Sequence, residues 1–258
     1  KEIASIIDGI GGEINAYTAK ECTCFYTKTL SLDYEVAIDV LSDMMMNATF
    51  AEEHIETEKT VIIDEINMYE DAAEEMVADL INEITFKGHP LSYPILGTKT
   101  TVSNFTKSGL LAYYHKYYND ENMVISIAGD FDEREILAAI KTKFGSLRQG
   151  INAIEKPIIA SMYHAGFDSK KKDFEQIQVD ISFPGIKFDH ELSYEMMVMN
   201  NILGGTNSSR LFQSVREDRG LTYSIYSEPN FYDALGTFTI CFGVSKENLR
   251  ETLMIIAD

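Results

Sequence analysis

Two glutamates seven residues apart, Glu58 and Glu65, stand in the segment "EKTVIIDEINMYEDAAEE" (58–75). Val61, Ile62 and Ile66 run through it at helical spacing, and Met76 follows just beyond. Seven residues are two helical turns, so both carboxylates would leave one helix in nearly the same direction. Carboxylates presented toward one side suit a cation there, although the spacing by itself is a weak signal. The ordinary alternative is a solvated acidic face, which charge patterning alone favours. His54, one turn before Glu58, reads as an exposed helix histidine rather than a further ligand.

The whole chain is acidic, with 22 Lys and Arg against 41 Asp and Glu, a formal net charge of −19 over 258 residues. That balance repels phosphate backbones and argues against nucleic acid as a partner. A basic peptide or a bound cation fits it better, although acidity also serves solubility. The hydrophobic share of 45% suffices for a large core. No run of eighteen apolar residues predicts a membrane span, and "KEIASIIDGIGG" lacks the pattern of a signal peptide. Cys22, Cys24 and Cys241 are too few for a disulfide framework and point to a reducing compartment. Cys22 and Cys24 alternate on a strand-like run. A zinc pair there is conceivable, but without a C-x-x-C partner or a nearby His the core reading is favoured.

These residues need elements to position them. "EIASIIDGI" (2–10) has the 3-4-3 spacing of an amphipathic helix and stops at Gly11 and Gly12. "EINAYT" and "CTCFYTKTL", joined by "AKE", predict a hairpin, and "SLDYEVAIDVLSDMMMNAT" predicts a helix capped by Ser31 or Asp33. The same order recurs later. "HELSYEMMVMNNILGG" is a helix stopping at Gly204 and Gly205, "LTYSIYSEP" and "GTFTICFGV" are strands, and "SKENLRETLMIIAD" begins a helix behind Ser245. The second copy carries an insertion, "TNSSRLFQSVREDRG", before its first strand. An internal repeat predicts two related lobes. Between the copies the spacing predicts one long helix from about Ala51 to Phe86, a helix over 107–118, a strand "NMVISIAGD" (122–130) and a helix beginning "DEREILAAIK". Periodicity fails over 151–158, read as a linker, and "FEQIQVDISFPG" opens the second lobe as a strand. The expected class is α+β with mainly antiparallel sheets, in lobes 1–150 and 159–258.

Three strings, "GGEINAYTAKECTCFYTKTL", "EKTVIIDEINMYED" and "SSRLFQSVREDRGLTYSIYS", occur in this order and together resemble the pitrilysin/insulinase group of zinc peptidases. The likeness is to the branch containing mitochondrial processing peptidase and its bacterial relatives, and it runs the length of the chain. It implies a clamshell of two related αβ halves. It implies zinc held by two imidazoles of an H-x-x-E-H motif and a glutamate on a later helix, with the motif's own glutamate as general base. Glu65 matches the later glutamate. Glu58 matches an auxiliary carboxylate that orients the ligands or the water. Arg216 and Tyr223, spanning "REDRGLTY", match an arginine and a tyrosine that hold the substrate backbone and the developing oxyanion. The strand "INAYT" matches the edge along which substrate adds as an extra strand, flanked here by Asn15, Ala16 and Tyr17.

None of the five histidines begins an H-x-x-E-H. By the resemblance the motif is expected just before Lys1, so truncation is expected, and this polypeptide by itself is expected not to hydrolyse peptides. The implied parent is a zinc-dependent metalloendopeptidase using metal-activated water on peptides or unfolded polypeptides. It would be bacterial and cytoplasmic, a homodimer or paired with another family subunit. The rival is a non-catalytic peptide-binding or scaffolding subunit of the same family. A calcium module lacks its D-x-D-x-D-G loop.

Overall fold

A helix, a hairpin and a second helix open the chain, as the periodicities require. The structure, a computed structural model, describes residues 2–150 and 163–258; the expected linker 151–158 lies outside them. Helix α1 spans Glu2–Gly9, strands β1 and β2 span Glu13–Thr18 and Thr23–Lys28, and α2 spans Tyr34–Met46 behind a 3-10 turn, Ser31–Asp33. Gly11, at φ 66°, closes α1. Its N–H donates to the Asp8 carbonyl (3.0 Å) and the Gly12 N–H to that of Ile7 (2.9 Å), a Schellman cap. Strands β1 and β2 are antiparallel, from Glu13 opposite Lys28 to Thr18 opposite Thr23. Neither Ser31 nor Asp33 caps α2 with its side chain.

The long helix expected from Ala51 to Phe86 is instead two, α3 (Glu52–Asp71) and α4 (Ala73–Thr85). Ala72 between them is extended, with φ −96° and ψ 112°. Helices α5 (Lys99–Ser103), α6 (Lys107–Tyr117) and α7 (Glu133–Phe144) follow. The strand expected over 122–130 does not form among the described residues. Val124 is 94% exposed, and no strand pairs with the segment. β-Formers without a partner for their N–H and C=O groups gain nothing by extending. Strand β3 (Ile177–Pro184), α8 (Ser193–Leu203), β4 (Thr222–Phe231), β5 (Gly236–Val244) and α9 (Leu249–Ala257) complete the order, with a π-helical turn, Phe212–Glu217, between α8 and β4. Helix–strand–strand–helix is thus repeated at both ends. The class is α+β with antiparallel sheets, as expected.

The described residues group into two compact units: 2–61 with 100–150, and 62–99 with 163–258. In the first, α2 packs on α7, and the buried Tyr114 donates its hydroxyl to the Met45 carbonyl at 2.6 Å. In the second, a three-stranded sheet is ordered β3-β5-β4. Strand β5 is buried along its whole length and alternates sharply. Phe238, Ile240, Phe242 and Val244 join Leu211, Val215 and Ile225 in the apolar core, with Met196 and Leu203 of α8 and Leu249, Ile255 and Ile256 of α9 against them. Thr237, Thr239, Cys241 and Gly243 face the other way. That polar face, with Asp180 of β3 and Tyr226 and Glu228 of β4, is lined by Glu74, Val77 and Ala78 of α4.

Candidate functional site

Most of the negative charge on α3 is solvated or paired with lysine. Glu56 takes Lys59 at 2.7 Å and Glu70 takes Lys99 at 2.8 Å. The Lys99 hydrogen bond holds the Glu70 carboxyl below the ordinary carboxylate range. The Lys172 ammonium lies 3.8 Å from Asp71. Of the two candidates, Glu58 is exposed and Glu65 half-buried. Ile55 and Ile66 are buried on the same helix, whereas Val61, read as part of its apolar strip, is 52% exposed. His54 is exposed, as expected. Among the described residues no three His, Cys, Asp or Glu side chains gather as a metal site. Cys22 is exposed and Cys24 half-buried, so the core reading fails for Cys22; Cys241 is buried.

Arg216 and Tyr223 do meet. The Arg216 guanidinium carbon lies 5.1 Å from the centre of the Tyr223 ring and 4.6 Å from that of Phe212. Two backbone irregularities bring this about. Arg216 sits on the π-helical turn, which is held on the core by the fully buried Val215 and closed by Gly220 at φ 61°. The Gly220 N–H donates to the Arg216 carbonyl at 2.9 Å, and the Leu221 N–H to that of Val215 at 3.1 Å. Tyr223 sits on a β-bulge, because Thr222 is opposite Val244 but Ile225 is opposite Phe242, so β4 carries one residue more than β5. The Thr222 hydroxyl donates to the Gly243 carbonyl and accepts from the Ser224 N–H, pinning the bulge. Such a bulge re-aims a side chain. Tyr223 is 78% exposed.

Both residues line a cleft of about 300 Å³ with Gly204 to Asn207, Phe212 and residues 224–226. Gly204 and Gly205 end α8, as expected, both N–H groups donating to the Asn200 carbonyl (2.9 and 2.8 Å). They also form one wall of the cleft. A Cβ at Gly204 would lie 2.6 Å from the Ser227 nitrogen, so only glycine lets α8 approach β4 there. Neither Phe212, the bulge nor the π turn is visible to sequence periodicity. The one available signal was an aromatic four residues before an arginine, within helical reach.

In the other unit, Asn15, Ala16 and Tyr17 are exposed on β1. Among the described residues β1 pairs with β2 alone, so its second edge is open. Tyr17 packs on Tyr26 with ring centres 6.5 Å apart, and a hydrogen bond with the Cys24 thiol pushes its phenol pKa up.

The family profile described as "Insulinase (Peptidase family M16)" matches residues 1–99, and that described as "Peptidase M16 inactive domain" matches residues 104–258. The chain belongs to the insulinase, or M16, peptidase family. It is 42% identical over 97% of its length to the uncharacterized zinc protease YmxG of Bacillus subtilis, covering 61% of that protein. It is 34% identical over 100% of its length to an uncharacterized zinc protease of Streptomyces coelicolor, covering 57%. The chain therefore spans about three fifths of these M16 relatives. A protease from Helicobacter pylori shares its fold, with a TM-score of 0.89 at 18% identity over 98% of this chain and 64% of that one. So does an M16 inactive domain from Pseudomonas fluorescens, with a TM-score of 0.84 at 21% identity over 99% of this chain and 63% of that one. No described helix is long and apolar enough to cross a membrane.

Proposed function

We propose that the complete protein is a zinc-dependent metalloendopeptidase acting on peptides or unfolded polypeptides, with lobes over 1–150 and 159–258. The observation that carries this reading is Arg216 held over the Tyr223 ring in an open cleft. A guanidinium and a phenol are strong donors, suited to a substrate carbonyl and to the negative charge its oxygen gains during attack. The open edge of β1 would pair with the substrate main chain, Asn15, Ala16 and Tyr17 flanking it. Several relatives are named zinc proteases. Zinc needs three or four N, S or O donors, and the described residues do not fit it unaided. Glu65 is proposed as one donor and Glu58 as a supporting carboxylate, the remaining donors lying elsewhere in the protein. A cytoplasmic homodimer, or a pair with another M16 subunit, is part of the same proposal.

A second reading is a non-catalytic, peptide-binding subunit, favoured by the profile over 104–258, which describes an inactive domain. The test is hydrolysis of a quenched-fluorescent peptide library by the full-length protein, with zinc measured by elemental analysis. Hydrolysis abolished by chelation and restored by zinc supports the peptidase. Peptide binding without turnover, in protein that holds no zinc after zinc addition, overturns it in favour of the subunit.

A further inference from the structure

We infer that Phe212 is a positioning residue that sets the plane of the Arg216 guanidinium; this rests on the reading in which Arg216 contacts substrate. An arginine side chain has many rotamers, and Arg216 retains 34% of its exposure, so something must restrict it. Its ion pair with Glu217 is long, at 3.9 Å, and half the Glu217 side chain is exposed, so that contact restrains it weakly. The two rings are the close contacts, Phe212 at 4.6 Å and Tyr223 at 5.1 Å. They are not equivalent. Tyr223 is exposed and is itself a proposed donor, whereas Phe212 is half-buried on a turn anchored by the buried Leu211 and Val215.

The chemistry favours a ring over an acid for this task. A carboxylate would orient the guanidinium by accepting from its N–H groups, leaving fewer for substrate. Stacking uses the face of the guanidinium and leaves the donors along its edge free. Phe212 thus restricts Arg216 without competing for what Arg216 has to give.

The test compares Phe212→Leu with Phe212→Tyr in the full-length protein; Phe212→Met replaces the leucine variant if that one folds poorly. Phe212→Leu should lower kcat about tenfold with zinc content and Tm unchanged, and Phe212→Tyr should restore it. Phe212→Leu combined with Arg216→Ala should be no slower than Arg216→Ala alone. By NMR, the Arg216 Nε–Hε resonance should lie upfield from ring currents and move downfield in Phe212→Leu. Wild-type kcat in Phe212→Leu alongside an impaired Arg216→Ala, or losses that multiply in the double variant, would overturn the inference. Full activity of Arg216→Ala sinks the underlying reading instead. The stack then stands or falls on the NMR shift, and an unmoved resonance refutes it.

Discussion

Replacing Asp180 by asparagine should stabilise the protein at pH 7.5 and flatten its pH dependence. Asp180 on β3 is opposite Cys241 on β5, which is opposite Tyr226 on β4, so the three form one row across the polar face of the sheet lined by α4. Burial is the main reason that its pKa rises from an ordinary 3.8 to about 6. The Cys241 hydrogen bond pulls it down, and the Glu228 and Glu74 carboxylates push it up. Burial also pushes the Cys241 thiol and the Tyr226 phenol up, so both neighbours stay neutral across the working range. With the raised pKa in the folded form, the native state binds this proton more tightly than the unfolded chain does. The resulting stability is fully present below pH 3.8 and is lost as pH rises through about 6. A rise of about two pH units, at 1.36 kcal/mol each, sets the loss at no more than about 3 kcal/mol. Urea denaturation of wild type and Asp180→Asn between pH 4.5 and 8 measures it. Glu70 and Asp189, whose carboxyls are held low by Lys99 and Lys187, act with the opposite sign at more acid pH and cancel in the difference between variants. A stability difference that stays constant across this range would refute the assignment of Asp180 as the titrating group.

Glu65→Gln in the full-length protein should cut zinc content sharply, and unchanged metal by elemental analysis would remove Glu65 from the proposed donors. Arg216→Ala should reduce turnover about a hundredfold with zinc retained; wild-type kcat would show that another arginine serves. Gly204→Ala should destabilise by about 1–3 kcal/mol, because its methyl would meet the Ser227 nitrogen at 2.6 Å. An unchanged Tm would mean that α8 shifts freely against β4.

What could be read in advance was whatever repeats with a fixed period. The strand-like run "GTFTICFGV" marked β5, the 3-4-3 spacing of "EIASIIDGI" marked α1, and the helix pattern ahead of Gly204 and Gly205 marked α8. What could not be read depends on partners or on a single extra residue. "NMVISIAGD" has strand composition, but composition does not supply a neighbour to pair with. The break at Ala72 falls in "EDAAEE", which contains neither Gly nor Pro to announce it. The register shift at Tyr223 and the π turn under Arg216 each disrupt the local period, and they are what turn two residues seven apart into one contact.

The acidic helix teaches the complementary lesson. Its carboxylates look alike in the sequence, yet Lys59, Lys99 and Lys172 pair with three of them, and Glu58 faces solvent while Glu65 is half-buried. The density of charge on α3 is therefore weak support for a metal; the partial burial of one glutamate is stronger. An exposed carboxylate loses little when left alone in water, whereas a half-buried one has given up solvation that a cation can replace. That difference makes Glu65, rather than Glu58, the residue on which the zinc proposal depends, and it predicts that Glu58→Gln will lower zinc content less than Glu65→Gln. Equal losses in the two variants would mean that exposure does not rank these groups.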